Sequence, residues 1–541
     1  SFPEKEFFLK GDYEKIITEF PNSPLYEEAF MRLIEKIEKP DSFFKILEKK
    51  NKKFLLKREI KILYLKSKFY EKLGDLNKKE QIEKTIIKKY RKSKEALEIA
   101  MKRKKPLLDI IKVLYNHQRW DEIIEKTKNI ETKNPEIYFY KGYAYFKLKK
   151  YKEALEFFKY SILSGYKKED EVNFYKGLCY LYVGDTLRAI NSFNRNLYSS
   201  SKFLEPALRE MRLIYLKNKK FQEKIEELFK EIENELNEEI IYFYYDTKNY
   251  EKLIECLDKL NKKDIRAKYI EYIIKNDSTI IREIHKENPL SYFSLLHYGL
   301  CTITDDEIKR ILSDTIFPSF FDTLKLLLDL NLIDDINERI KNIKDSKIIL
   351  KISKFLKENK NYYFSTNLAR KYYNFLREKD KTCFDEDFLK ILFPTPYREK
   401  VMEVSKKYNL EPALIYAVMR RESFFDTSAI SPKGAKGLMQ IMEETAKKIY
   451  KNDINLFKTK DNIEIGVKYL RSLIDSFGLY YGICAYNAGE NAVKEWMKII
   501  PKNEISIFFD IPYRETRNYL LNVLSDYMVY KLLYPDLKLN I

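Results

Sequence analysis

Tyr140-Lys141-Gly142 returns 35 residues later as Tyr175-Lys176-Gly177, and other positions keep the same step: Tyr145, Tyr180 and Tyr215; Ala154 and Ala189; Tyr151, Thr186 and Phe221. A fixed step of this length constrains a chain severely. Each copy is one supersecondary unit that buries its apolar face only against the next. Helix–turn–helix repeats of the tetratricopeptide kind have a period of about 34 residues, so this stretch reads as stacked helical pairs. Gly142 and Ala154 are small where helices would approach closely. The recurrent aromatics read as filling between helical layers rather than as a sugar-stacking track. Degenerate copies of the second helix begin near Tyr13, Trp120 and Tyr250, each a bulky aromatic ahead of an amphipathic run. Gly (13) and Pro (16) are sparse in 541 residues, which disfavours a turn-rich β fold. The expected fold is all-α: a tetratricopeptide-like α-solenoid over 1–279, a helical linker-type region over 280–393 without the period, and a separate helical domain over 394–541. Phe393-Pro394-Thr395-Pro396 marks the last boundary, because two prolines in three residues break a helix.

Within 394–541 the chemistry centres on Glu422. Pro412 suits the first turn of a helix, where its missing N–H costs nothing. Leu414, Ile415 and Val418 lie eight, seven and four residues before Glu422 and share its side of that helix. Apolar surroundings disfavour the charged carboxylate and raise its pKa. An acid still protonated near neutrality can donate to a glycosidic oxygen. The bland alternative is a solvated Glu paired with Arg420 or Arg421. Glycosidases ordinarily use two carboxylates, and Asp426 is the nearest second one. Phe424-Phe425-Asp426-Thr427-Ser428 reads as a helix ending in a turn, where Asp and Ser bond local backbone. With Asp426 so engaged, the site has one carboxylate.

Downstream come Ser431, then Gly434, Gly437, Leu438, Met439, Gln440 and Met442, then Asn462-Ile463, Gly466 and Tyr469-Leu470. Tyr486-Asn487-Ala488-Gly489 and Ile511-Pro512-Tyr513-Arg514-Glu515-Thr516-Arg517 complete the set. Singly each is ordinary: turn glycines, core methionines, one tyrosine among 43, a surface charge cluster. In this order and spacing they resemble the goose-lysozyme-like catalytic domain of soluble lytic murein transglycosylases of the superhelical type. The resemblance implies that Glu422 is the sole catalytic acid, then base. It would cleave the MurNAc-GlcNAc β-1,4 bond of peptidoglycan without water, leaving 1,6-anhydro-MurNAc ends. It implies substrate contacts at Ser431, Gln440, Met442, Tyr486, Asn487 and Glu515, with Ser431 bonding near the carboxylate and Met442 in the cleft floor. It also implies a helical ring carrying the catalytic domain, peptidoglycan strands as substrate, and a periplasmic location. Cell-wall synthesis or division proteins are further expected partners. Three residues depart from the common pattern: Arg421 for Gln, and Glu443 and Glu490 where Pro is frequent. Arg421 would alter the field at Glu422, while the other two would change local helix starts. Two other readings stay open: a lysozyme-like muramidase in which Asp426 assists water, and a solenoid scaffold holding a cell-wall partner through an inactive glycan-binding module.

Net charge is +19, which favours polyanionic partners. The charges are spread through amphipathic helices and no nucleic-acid motif occurs, so nucleic acid is not an expected partner. His117, His285 and His297 all lie outside 394–541, which argues against a His triad or His-ligated zinc there; no metal and no cofactor are expected. Cys179, Cys256, Cys301, Cys383 and Cys484 are scattered and odd in number. They suggest buried small hydrophobes rather than a disulfide framework, and leave the compartment open. No run of 18 apolar residues predicts a membrane span. The first residue is Ser rather than Met, consistent with a removed export signal.

Overall fold

A computed structural model gives the fold. It describes residues 2–48, 59–128, 130, 132–198, 202–232, 238–260, 263–313, 318–450, 454–498, 500 and 506–537. The chain divides into two compact units, Ser1–Ala207 and Leu208–Ile541. The expected boundaries near 280 and 394 both fall inside the second. Nearly all regular structure is helical; the strands among the described residues are Thr302–Ile303 and Phe384–Asp385, paired in parallel. No helix among the described residues is long and apolar enough to cross a membrane.

The repeat has a physical basis at its glycines. A Cβ on Gly142 would lie 2.9 Å from the Phe158 ring, and one on Gly177 would lie 2.4 Å from the Phe193 ring. Each glycine lets a helix (Pro135–Lys147 or Glu169–Tyr182) press against the next one (Tyr151–Leu163 or Thr186–Asn194) through a buried phenylalanine. Tyr13, Trp120 and Tyr250 each open a helix, as their aromatic-plus-amphipathic pattern predicts.

The turns between helices repeat as well. Gly11, Gly74, Lys149 and Gly184 take left-handed backbone. In each case that residue and the next donate their N–H groups back to the ending helix, as in Lys149 to Phe146 and Lys150 to Tyr145. This is the Schellman closure of a helix C-terminus. The same closure recurs at Asn331-Leu332 and Lys360-Asn361. The region 280–393 therefore keeps the helical-hairpin turn although its sequence has lost the period. A left-handed turn accepts Gly, Asn or Lys at some cost, so no single residue type betrays it.

Cys301 and Cys383, 82 residues apart, form a disulfide, which corrects the reading of all five cysteines as isolated. The bond lies beside the short parallel pair. There Asp385 accepts the N–H of Asp305 at 3.0 Å and caps the helix Glu386–Leu392 through Asp387 and Phe388. Cys179, Cys256 and Cys484 are free and buried.

Phe393–Pro396 leads into the site-bearing region. Its carbonyls are taken by tyrosine hydroxyls: Tyr534 to Phe393 at 2.7 Å, Tyr530 to Pro394 at 2.9 Å and Tyr416 to Pro396 at 3.0 Å. Tyr416 lies in the helix Pro412–Ser423, Tyr530 in the helix Arg514–Leu533 and Tyr534 just past the end of the latter; the two helices pack together with Tyr416 stacked on Tyr530. The second of these helices is anchored by buried charge. Arg209 and Arg212 bond Glu239 at 2.8 and 3.2 Å, Arg212 also bonds Asp246 and Asp510, and Arg517 bonds Glu239 at 3.4 Å and the Phe509 carbonyl at 3.0 Å.

Candidate active site

Glu422 sits in the last turn of Pro412–Ser423, a helix buried over most of its length. Leu414, Ile415 and Val418 are all buried. Glu422 keeps partial solvent access, yet protein crowds its carboxyl. Burial pushes it up to about 7; the Tyr519 hydroxyl bond opposes the rise and the charge of Glu515 adds to it. Tyr519 donates to Glu422 Oε1 at 2.5 Å. Tyr519 is not among the residues that the sequence pattern singles out. It lies four residues after Glu515 on the same helix, so one helix brings both groups to the carboxyl.

Neither arginine beside Glu422 pairs with it. Arg420 bonds Asp526 at 2.7 Å and the Leu392 carbonyl at 3.2 Å. Arg421 grips both oxygens of Asp526 at 2.6 Å. The expectation that Arg421 changes the field at Glu422 is corrected: its charge is turned to Asp526, and the Glu422 carboxyl stays high. Glu443 and Glu490 each occupy the first position of a helix, Glu443–Ile449 and Glu490–Trp496.

After Ser423 the chain turns sharply. Phe424 and Phe425 both adopt positive φ, 50° and 67°, which side-chain-bearing residues seldom hold without surrounding support. Support comes from Ser423, whose hydroxyl donates to the Leu438 carbonyl at 2.7 Å. Asp426 Oδ1 accepts from the backbone N–H and the hydroxyl of Ser428, at 2.8 and 2.7 Å. It closes a turn and is engaged there.

Residues 429–441 fold into a small knot with bridges at Ile430–Lys436 and Lys436–Ile441. Ser431 Oγ accepts the Ala435 N–H at 3.0 Å, so Ser431 ties the knot internally. No hydrogen bond among the described residues joins it to Glu422. Gln440, at φ 49°, donates through Nε2 to the Gly437 and Ala429 carbonyls, which leaves its Oε1 for other partners. Met442 stands 38% exposed ahead of the next helix. Asn462, almost wholly buried, holds the knot from below. It accepts from Met439 N–H and donates to the Lys436 and Leu456 carbonyls. Gly437 is required here: its φ is +74°, and a Cβ would come 2.5 Å from both Asn462 Nδ2 and Leu456 O. Gly466 plays the same part for Met439, whose Sδ would lie 2.4 Å from a Cβ.

Tyr486 donates to the Met439 carbonyl at 2.8 Å. Its own hydroxyl is held far up by burial and by the neighbouring charge of Glu422. Asn487 Oδ1 accepts from Thr516 at 2.6 Å, so the Tyr-Asn-Ala-Gly segment is joined to the helix bearing Glu515 and Tyr519. Glu515 is exposed. The structure thus gathers Glu422, Tyr486, Glu515 and Tyr519, while Ser431, Gln440 and Asn487 are engaged with protein partners around them.

A half-buried carboxyl poised near neutrality beside an open loop knot has the chemistry of a general acid. Residues 399–509 match the family described as Transglycosylase SLT domain. The soluble lytic murein transglycosylase of Salmonella typhimurium is 32% identical over 151 residues, 26% of this chain and 23% of that protein. The Escherichia coli K12 protein of the same name is 31% identical over 162 residues, 28% of this chain and 25% of that one. The matched region thus spans about a quarter of the length of these curated relatives. In fold, the chain is similar to the 70-kDa soluble lytic transglycosylase solved with bulgecin A: TM-score 0.55, 15% identity, 98% of this chain and 94% of that one. An inactive mutant of the Pseudomonas aeruginosa lytic transglycosylase Slt gives TM-score 0.53 at 14% identity, covering 96% and 88%. The expected resemblance to soluble lytic murein transglycosylases, and the all-α fold, are borne out.

Proposed function

We propose that this protein is a peptidoglycan lytic transglycosylase in which Glu422 acts alone as acid and then base. The observation that carries the reading is that, at this site, the Glu422 carboxyl is raised to about 7 while the neighbouring Asp426 is engaged in a turn. Protonated Glu422 delivers its proton to the oxygen linking MurNAc to GlcNAc, and the bond between that oxygen and MurNAc C1 breaks, the GlcNAc side leaving as a free hydroxyl. The resulting carboxylate, steadied by the Tyr519 hydroxyl, then removes the proton of the MurNAc C6 hydroxyl. That oxygen closes on C1, giving the 1,6-anhydro ring, and Glu422 returns protonated. Gln440, Met442, Tyr486, Asn487, Ser431 and Glu515 surround the strand in this reading. The division at 279 and 393 is retained as part of it. A periplasmic location is supported by the Cys301–Cys383 disulfide, since such bonds persist in oxidising compartments. Cell-wall synthesis or division proteins are kept as proposed partners.

The test is Glu422→Gln against wild type on purified peptidoglycan. The reading requires an intact fold with strand cleavage nearly abolished; full activity in that variant overturns it.

A further inference from the structure

The helix Arg514–Leu533 brings the Tyr519 hydroxyl to Glu422, with the charge of Glu515 acting on the same carboxyl. Tyr486 meets that carboxyl from the helix Thr459–Ala488. The segment that enters the helix Arg514–Leu533 closes on a residue far from the SLT domain in sequence: Arg212, in the helix Leu204–Lys217. Arg212 is fully buried. Its Nη1 donates to Asp510, 298 residues away, and to Asp246 at 2.6 Å. Its Nε donates to Glu239 at 3.2 Å and its Nη2 to the Phe509 carbonyl at 3.3 Å. The Phe509 ring stacks on Tyr242 at 5.2 Å, and the Arg212 guanidinium lies 5.5 Å from the centre of the same tyrosine.

The Phe509 carbonyl is shared. Arg517 also donates to it, at 3.0 Å, so one carbonyl joins Arg212 to the opening of the helix Arg514–Leu533. Two residues turn a helix through about 200°, which puts Glu515 and Tyr519 on the side away from Arg517. The start of the helix is thus held from behind while its other side presents Tyr519 to Glu422.

The two aspartates on Arg212 differ in what they connect. Asp246 ends the helix Glu238–Asp246, so its bond to Arg212 stays within the helical region. Asp510 ends the short helix Ser506–Asp510 and directly precedes Ile511-Pro512-Tyr513. Among the described residues, Arg212 is the one hydrogen-bond partner of the Asp510 side chain, whose Oδ2 is buried without any. Burial drives Asp510 toward its neutral form, and Arg212 opposes that. Without Arg212 these buried acceptors lose their cation, a strain relieved by taking up protons or by moving the segment.

We propose that Arg212 is a positioning residue for the reaction: through Asp510 and the Phe509 carbonyl it sets the start of the helix Arg514–Leu533, and so holds the Tyr519 hydroxyl on Glu422. The proposal rests on the reading of Glu422 as the working acid. It makes a helix outside the SLT domain part of what tunes that acid.

The experiment reads the Glu422 carboxyl itself, by carboxyl-carbon NMR over a pH series on protein labelled at glutamate, the resonance being assigned by its absence from Glu422→Gln. Arg212→Met, Arg212→Lys, Asp510→Leu and Asp246→Leu are compared with wild type. The Tyr519 hydroxyl outweighs the charge of Glu515 at this carboxyl, so loosening both raises its pKa. The expected rise is about half a pH unit in Arg212→Met and Asp510→Leu, part of the larger rise that loss of the whole hydroxyl bond gives. Arg212→Lys keeps the charge but not the spread of donors and should fall between. Asp246→Leu should titrate as wild type does, since Arg212 keeps Asp510. Beside Tyr519→Phe, Asp510→Leu should add nothing. The descending limb of kcat/KM should move with the resonance.

A lowered Tm with the Glu422 resonance titrating as in wild type would assign Arg212 to stability alone and overturn the proposal. An equal shift in Asp246→Leu, or one that persists beside Tyr519→Phe, would also overturn it. Where Arg212→Met does not fold, Asp510→Leu against Asp246→Leu decides. A protein that shows the expected shifts yet cuts no peptidoglycan would refute the enzymatic reading and leave the positioning of Tyr519 standing.

Discussion

Tyr519→Phe removes one oxygen from the cleft and leaves the ring in place. That oxygen holds the Glu422 carboxyl down against burial and the charge of Glu515. A hydrogen bond to a charged group is worth about 1.5–3 kcal/mol net, and each pH unit in a pKa corresponds to about 1.4 kcal/mol. The carboxyl should therefore rise from about 7 by about one to two pH units, with the lower figure favoured because Glu422 keeps some access to water. The sign follows from the chemistry. The first step needs protonated Glu422, so kcat/KM falls as pH rises through its pKa. In Tyr519→Phe this descending limb should move about one pH unit to the alkaline side. The absolute rate should drop as well, because the carboxylate loses the hydroxyl that steadies it. The assay is kcat/KM from pH 5 to 9 on soluble strands, counting anhydro ends. A descending limb at the same pH in both proteins would refute the assignment of Tyr519.

The same carboxyl predicts a stability change. Its folded pKa lies above its unfolded value of 4.5, so between about 4.5 and 7 the unfolded chain releases this proton first and the fold loses stability. Glu422→Gln does not titrate and should be more stable than wild type above pH 7 by about 1–3 kcal/mol, with no gain near pH 4; equal urea midpoints at pH 8 would contradict this. Asp526→Asn strips Arg420 and Arg421 of their carboxylate, two of the three groups being almost fully buried. It should cost about 3–5 kcal/mol in urea unfolding, and a loss under 1 kcal/mol would mean the clamp contributes little. Cys301→Ser with Cys383→Ser opens a loop of 82 residues and should cost about 2–4 kcal/mol, matched by wild type under reductant.

Local features were legible in the sequence because their physics is local. The helix running to Glu422 follows from Pro412 and the apolar spacing behind it. The Asp426 turn follows from Asp and Ser competing for nearby backbone, and the helical stack from the 35-residue step. What escaped depends on residues far apart. Cys301 meets Cys383, Arg212 meets Asp510 from 298 residues away, and Asp526 draws Arg420 and Arg421 off Glu422. Tyr519 carried no mark among 43 tyrosines; only the four-residue step from Glu515 could have pointed to it. The hairpin turn at 331–332 and 360–361 was hidden for another reason: Asn and Lys fill positions that Gly holds elsewhere, so backbone geometry persists where sequence does not.

The central claim is that one carboxyl does the work of two and water is not the nucleophile. Mass spectrometry of the products released from purified peptidoglycan tests it most directly, with wild type and Asp426→Asn side by side. The account predicts fragments ending in 1,6-anhydro-MurNAc, one water lighter than hydrolysed ones, from both proteins at similar rates. Reducing-end, hydrated fragments, lost when Asp426 is changed, would contradict it.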